Sequence, residues 1–178
     1  MTISNKHGGL TSLELLVAVS IFAITLALAT PSFNQIIQDN RASTQINGIS
    51  SLMSYARSAA IVQAARVSVC PRAGATSTCG VDWSKGMIVW ADTNGDGILD
   101  AVEKILRITD AIDTATITLA AVQKNSSTPV TVITYNTSGD LAGTVPVYFN
   151  LCVGHPTGTL TRLSISLVGH LTTSKGTC

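Results

Sequence analysis

Hydrophobic residues form one nearly continuous run close to the start of the chain. Residues 10–31 read LTSLELLVAVSIFAITLALATP, and within the most apolar part only Ser20 and Thr25 interrupt the run. A helix needs about 20 apolar residues to cross a bilayer, so the run predicts a transmembrane helix over residues 10–31. Lys6 lies on the N-terminal side, which by the positive-inside rule places that end in the cytoplasm and the rest outside.

The spacing of apolar residues stays helical beyond Pro31. Apolar residues recur at three- and four-residue steps as far as Ala60, with polar residues between them. Pro31 removes one backbone donor and bends a helix without having to end it. We therefore predict one long helix from Thr11 to Val62, with its second half packed on a sheet.

From Arg66 onward the apolar residues alternate with polar ones, which predicts strands. Short β-branched segments are separated by Gly, Pro, Asn or Asp, and the break at Val122–Pro129 predicts an exposed loop. A long helix followed by an antiparallel sheet is an α+β fold. The predicted strands are Arg66–Cys70, Gly86–Ala91, Lys104–Ile108, Ala115–Ala120, Val130–Asn136, Val147–Leu151 and Leu163–Val168.

Length and composition fit a single domain with an appendage. The chain has 178 residues, of which 46% are hydrophobic and 12% charged, and its formal net charge is +1. Removal of residues 1–9 would remove Lys6 and leave equal numbers of basic and acidic side chains. A neutral chain has no general attraction for nucleic acid or anionic lipid. With neither a nucleophile elbow nor a phosphate-binding glycine loop, the sequence does not indicate an enzyme.

The four cysteines predict disulfide bonds. Their number is even, and the apolar N-terminal run points to export into an oxidising compartment. Three pairings are possible; proximity in sequence favours Cys70–Cys79, which leaves Cys152 to pair with Cys178. A zinc site is the alternative, but Cys70 and Cys79 lie too far apart for a zinc knuckle, and His155 is the one histidine near Cys152.

Glu14 is unusual for its position near the start of the apolar run. A carboxylate at the centre of a bilayer costs about 2.5–3.5 kcal/mol on insertion scales, so such a residue needs a partner or a function. An ordinary secretory signal peptide would also end in a small-residue cleavage site, and none closes this run before Pro31. A stray polar residue in a plain signal anchor is the alternative interpretation.

The residues around Glu14 resemble the prepilin signature. The segment Gly9-Leu10-Thr11-Ser12-Leu13-Glu14 has a glycine before a cut, an apolar residue after it and a glutamate at the fifth position of the processed chain, and Pro31 stands where pilins carry a kinking proline. The resemblance implies cleavage after Gly9 by a prepilin peptidase and methylation of the new N-terminus at Leu10. The Glu14 carboxylate could then pair with the cationic amine of a neighbouring subunit, because either charge alone in an apolar filament core would cost several kcal/mol.

A second resemblance covers the middle of the chain. Cys70-Pro71, Cys79, the segments GMIVW at 86–90 and DTNGDG at 92–97, and Leu106-Arg107 are similar to the GspH/FimT group of minor pilins and pseudopilins. The resemblance implies the type IV pilin fold: a leader over residues 1–9, a transmembrane and filament-core helix over 10–31, and a periplasmic globular domain over 32–178.

The same resemblance implies a cellular role. It predicts a single-pass protein of the bacterial inner membrane that joins other pilins in a filament. The paired cysteines and the Cys-Pro loop favour the FimT-like branch, and therefore a minor type IV pilin that takes part in pilus assembly. A pseudopilin of the type II secretion system is the alternative.

The acidic loop 92–103 fits the calcium-loop pattern D-x-[DN]-x-[DN]-G-x5-E. The flanking segments are predicted strands, whereas an EF-hand has helices, and Asn-Gly-Asp-Gly forms hairpin turns without metal. We therefore expect a structural turn and no required cofactor, with a structural calcium ion as the alternative. The ligands of that ion would be Asp92, Asn94, Asp96, Asp100 and Glu103.

DNA is a further possible partner, because some members of this group are implicated in DNA uptake. Those members carry a Gly-Arg-x-Arg motif near the C-terminus, and the equivalent segment 169–172 here, GHLT, lacks both arginines. Arg162, His170 and Lys175 are the candidates for a thin basic edge. Phosphate binding requires cations clustered on one face, so DNA binding is the weaker alternative.

Overall fold

A computed structural model of the chain describes residues 11–112, 117–154 and 158–178, without the side chains of residues 27–35. The fold begins with one long helix, α1 (Ser12–Gln63), and a short 3-10 helix follows at Trp83–Lys85. The chain divides into two compact units, a first that ends at Ile37 and a second that comprises Gln38–Cys178. The boundaries predicted at residues 9 and 31 concern cleavage and exit from the membrane, and both stay predictions.

Strands within the described residues form two four-stranded antiparallel sheets. The first sheet has the order β3-β2-β1-β5 and the second the order β4-β6-β7-β8. The α+β class is confirmed, but the prediction of one sheet was wrong, because β4 pairs with β6 and neither strand joins the first sheet. The strands are β1 (Arg66–Pro71), β2 (Met87–Asp92), β3 (Ile105–Ile108), β4 (Ile117–Gln123), β5 (Ile133–Tyr135), β6 (Val147–Val153), β7 (Thr159–Ile165) and β8 (Leu171–Thr177).

Helix α1 covers almost the same residues as the predicted helix, and local chemistry explains both of its ends. At the start, the Thr11 hydroxyl accepts the backbone N–H of Glu14 at 3.3 Å. Threonine followed three residues later by glutamate is the sequence of a capping box. An acidic side chain in the first turn also interacts favourably with the helix dipole. After Gln63 the chain leaves the helix through Ala64, which has a left-handed φ of 48°.

The first unit exposes its apolar side chains. Leu13 is 76% exposed, Leu16 70% and Phe22 65%. Among the residues that the structure describes, no helix is both long enough and apolar enough to cross a membrane. The transmembrane helix predicted over residues 10–31 stays a prediction, because the side chains described in this segment are those of residues 11–26.

One cluster of buried side chains joins the later part of α1 to both sheets in the second unit. In β6, for example, alternate residues from Val147 to Val153 are buried and the residues between them are half-exposed. The Trp83 ring packs edge-on against Phe149 with 4.9 Å between ring centroids, and its Nε1–H donates to the carbonyl of Val130 at 2.6 Å. From α1 the cluster takes Ala42, Ile46, Ile49, Leu52, Met53, Ala56, Ala59 and Ala60.

The last two strands differ from the prediction. Strand β7 is Thr159–Ile165 rather than 163–168, because Leu167 and Val168 belong to a turn that Gly169 completes with a φ of 74°. Strand β8 was not predicted at all. Six of its seven residues are exposed, so it shows no alternation of apolar and polar positions.

Candidate functional site

Two hydroxyl side chains in the first part of α1 donate to carbonyls of the same helix. The hydroxyl of Ser20 donates to the carbonyl of Leu16, and that of Thr25 donates to the carbonyls of Ile21 and Phe22 at 3.1 and 2.8 Å. Such bonds allow a hydroxyl to enter apolar surroundings without an unpaired donor.

Glu14 differs from Ser20 and Thr25 because only its backbone N–H, bonded to Thr11, takes part in the helix cap. Its side chain is exposed. Gly9 and Leu10 lie outside the described residues, and Pro31 lies within α1 without a described side chain.

Both predicted disulfide bonds are present. Cys70 bonds to Cys79 and Cys152 bonds to Cys178, with Cα–Cα distances of 5.6 and 5.9 Å. No free cysteine exists among the described residues, which leaves no thiolate for the alternative zinc site. The first bond covers the face of the first sheet that contains Trp90, and the second fastens the residue after β8 to β6.

The acidic loop 92–103 is closed by two buried carboxylates. Asp92 is 1% exposed and accepts three hydrogen bonds: from the N–H of Gly95 at 2.7 Å, the N–H of Gly97 at 3.1 Å and the hydroxyl of Ser68 at 2.8 Å. Glu103 is 8% exposed and reaches back across the loop. Its two oxygens accept the N–H of Thr93 at 2.9 Å and the N–H of Asp100 at 3.2 Å.

The other predicted calcium ligands are exposed and bond to each other. The side-chain amide of Asn94 donates to Asp96 at 2.9 Å and to Asp100 at 3.1 Å, so an N–H group lies between the two carboxylates. Within the described ranges, no group of three or more His, Cys, Asp or Glu side chains is arranged to hold a metal ion. These contacts form a hydrogen-bonded turn, and a structural calcium ion stays the alternative.

The three basic residues proposed for DNA lie in three separate grooves. The β7–β8 register places Arg162 opposite Ser174 and Lys175 opposite Thr161, so Arg162 and Lys175 point to opposite faces of the second sheet. Lys175 lines a groove beside α1, and His170 lies in a turn that lines another groove. Arg162 lines a third groove with Tyr148 and Asn150. The structure does not gather these basic residues on one face.

Arg57 is a residue whose role the sequence did not indicate. Its Nε donates to the carbonyl of Gly139 at 2.8 Å, and one terminal nitrogen donates to that of Val168 at 2.9 Å. Gly139 and Gly169 both have positive φ, and added Cβ atoms would come within 3.1 and 2.7 Å of the Arg57 Nε. Arg57 thus connects α1 to two turns between strands of the second unit. Only the long-range pairing of the strands brings these turns to the helix, which no local sequence pattern shows.

Comparisons with known proteins agree with this architecture. The family model described as Type II transport protein GspH matches residues 45–169. None of the curated proteins compared with the chain matches it.

Two crystal forms of the type IV minor pilin FimU from Pseudomonas aeruginosa are similar in structure. The first is 23% identical, with a TM-score of 0.55, and the match covers 77% of this chain and 87% of FimU. The second is 24% identical, with a TM-score of 0.53, and the match covers 75% and 90%. At this identity the likeness shows a shared fold. Because the family model covers more than half of the sequence, the chain belongs to the GspH family of minor pilin-like and pseudopilin-like proteins.

Proposed function

We propose that the protein is a minor type IV pilin that takes part in pilus assembly. The observation that carries the proposal is the combination of a GspH-family domain with a helix whose exposed apolar side chains are interrupted, near its start, by one carboxylate. A surface of this kind is suited to burial among other helices. The fold likeness to a protein named as a type IV minor pilin favours the pilus over other filaments.

In this proposal the polypeptide enters the bacterial inner membrane as a single-pass precursor, with its globular unit in the periplasm. A prepilin peptidase removes residues 1–9, and the new amine at Leu10 is methylated. The processed subunit then leaves the membrane to join other pilins in the filament. Its role is structural rather than enzymatic, as is usual for pilin-like families.

Glu14 is the residue that we propose to select correct docking. Its carboxylate pairs with the amine at Leu10 of a neighbouring subunit in the apolar centre of the filament. A buried ion pair that loses one partner is destabilised by about 3–5 kcal/mol, so a subunit that docks out of register is rejected.

Glu14→Gln separates docking from helix capping. Glutamine can serve at this position of a capping box, but it has no charge. We expect Glu14→Gln to be cleaved normally and to be almost absent from sheared pili in immunoblots, while the matched cap variant Thr11→Ala is still incorporated. Normal incorporation of Glu14→Gln would refute the pairing, because only the charge has been removed.

A type II secretion pseudopilin is the second candidate, favoured by the match to the family described as Type II transport protein GspH. Deletion of the gene distinguishes the two functions. We expect loss of surface pili with unchanged secretion of type II substrates, restored by the wild-type gene. Loss of secretion with normal piliation would assign the chain to the pseudopilus instead.

A further inference from the structure

A polar groove of about 470 Å³ lies on the outer face of the second sheet. Its floor comes from β6 and β7, where the residues facing the core are buried and the alternate residues are half-exposed. Its wall is the turn that follows β4. The groove is lined by Val122, Gln123, Asn125, Ser126, Ser127, Tyr148, Asn150 and Arg162.

The sheet register fixes three of these side chains relative to one another. Asn150 pairs directly with Arg162, and Tyr148 is a diagonal neighbour of Arg162 on the same face. The Nε of Arg162 donates to the Asn150 side-chain oxygen at 2.8 Å, and the guanidinium carbon lies 5.0 Å from the centre of the Tyr148 ring. The guanidinium is therefore held in place before a ligand arrives, which reduces the entropy lost on binding.

The turn that walls the groove is also constrained. Asn125 has a left-handed φ of 62°, which is uncommon for a residue other than glycine. The N–H of Ser126 closes the turn by donating to the carbonyl of Gln123 at 3.2 Å. The side chains of Asn125, Ser126 and Ser127 in this wall therefore project from a closed turn and not from an extended loop.

The chemistry of the lining narrows the class of ligand. None of the lining residues is a carboxylate, which argues against a hard metal ion, and a single cation is too little for a nucleic-acid backbone. Three carboxamides and three hydroxyls, one of them the Tyr148 hydroxyl, instead offer several neutral donors and acceptors, and the fixed guanidinium adds charged donors. Beside them, the Tyr148 ring offers an apolar surface. A sugar ring has the matching pattern, with hydroxyl groups at its edge and C–H groups on its face.

We propose that this groove binds a neutral oligosaccharide, with Tyr148 against the face of a sugar ring and with Arg162 and Asn150 bonded to its hydroxyl groups. Such a site is independent of the docking role of Glu14. The globular unit would then bind glycans in whichever assembly contains the subunit.

A titration of the full-length chain tests the proposal. The protein is labelled with ¹⁵N in a zwitterionic detergent without a sugar headgroup, since a sugar detergent would compete for the groove. Chitotriose, cellotriose, maltotriose and mannotriose are added in turn, and the Arg162 Nε–H signal is followed. We expect at least one trisaccharide to shift this signal saturably.

Two variants of Tyr148 and a matched control locate the binding. Tyr148→Leu removes the ring and should weaken binding by about tenfold or more, whereas Tyr148→Phe keeps the ring and should stay within about twofold of wild type. Tyr55→Leu is the control, because the Arg107 guanidinium lies 5.4 Å from the centre of that ring but outside the groove. This variant should bind like wild type.

Three results would overturn the proposal. One is no saturable shift with any of the four sugars. Another is equal binding by Tyr148→Leu and wild type, provided that the variant melts at the same temperature as Tyr148→Phe. The third is a shift of the Arg162 signal by a single-stranded thymidine oligonucleotide but by no sugar, which would make the groove a nucleic-acid site.

Discussion

Replacement of Asp92 by alanine tests how the acidic loop is held. The carboxylate is buried and accepts bonds from two backbone amides and from Ser68. Ser68 keeps a second partner, since its hydroxyl lies 2.6 Å from that of Thr134, so the amides of Gly95 and Gly97 are the donors left unpaired. Each buried donor without a partner costs about 1–3 kcal/mol.

The expected loss is about 3 kcal/mol of unfolding free energy, because both glycines are half-exposed and water replaces part of each bond. The matched control is Asp96→Ala, which removes an exposed carboxylate from the same loop and should cost less than about 1 kcal/mol. Asp92→Asn is the milder variant to use if Asp92→Ala does not fold.

Urea unfolding followed by tryptophan fluorescence measures both losses. Trp90 is buried in a cluster with Leu99, a residue of the acidic loop, so its emission reports on this region. Each unfolding curve is recorded with calcium chloride and again with EDTA. If hydrogen bonds alone close the loop, the two curves coincide for wild type. A midpoint that calcium raises in wild type but not in Asp96→Ala would refute the reasoning and establish a calcium site.

Three further predictions concern stability. The Ser84 hydroxyl, and then its backbone N–H, lower the pKa of Asp82, which caps the short 3-10 helix. That contribution should be complete above the ordinary aspartate pKa of 3.8 and be lost as the pH falls through the lowered value. In urea unfolding, Asp82→Ala should therefore cost about 1 kcal/mol at pH 7 and progressively less as the pH falls below 3.8. Burial raises the pKa of Tyr135, whose hydroxyl has no hydrogen-bond partner among the described residues, so Tyr135→Phe should leave the melting temperature unchanged or raise it, and a clear decrease would reveal a hidden partner. Replacing both Cys152 and Cys178 by serine should speed amide hydrogen exchange in β8 far more than in β1, because β8 buries almost nothing; equal acceleration in both strands would contradict this.

The helix and the disulfide bonds could be predicted because their signals are local. A nearly continuous apolar run as far as Pro31 and helical spacing of apolar residues beyond it predict the helix, and the structure adds only the cap at Thr11, which the sequence TSLE already contains. Cys70 and Cys79 are close in sequence, which left one partner each for Cys152 and Cys178.

The arrangement of the strands could not be predicted in the same way. Alternation of apolar residues locates a strand with a buried face, but it does not show which strands pair. The sequence therefore predicted one sheet where the structure has two. Strand β8 buries no face and gave no signal. Its absence from the prediction also hid the register that separates Arg162 from Lys175.

The acidic loop shows a different limit of sequence patterns. The residue types and their spacing match a calcium loop. The same oxygens nevertheless accept backbone amides at Gly95, Gly97, Thr93 and Asp100. The same residue types can therefore close the loop through backbone amides or through a calcium ion, and unfolding with calcium chloride and with EDTA distinguishes the two.

Mass spectrometry of the protein recovered from sheared pili tests the central claim most directly. The account predicts that this protein is found in the filament fraction and that its polypeptide begins at a methylated Leu10. A chain that still begins at Met1, or a protein that is missing from pili purified from a strain that expresses it, would contradict the proposal that it is a processed pilus subunit.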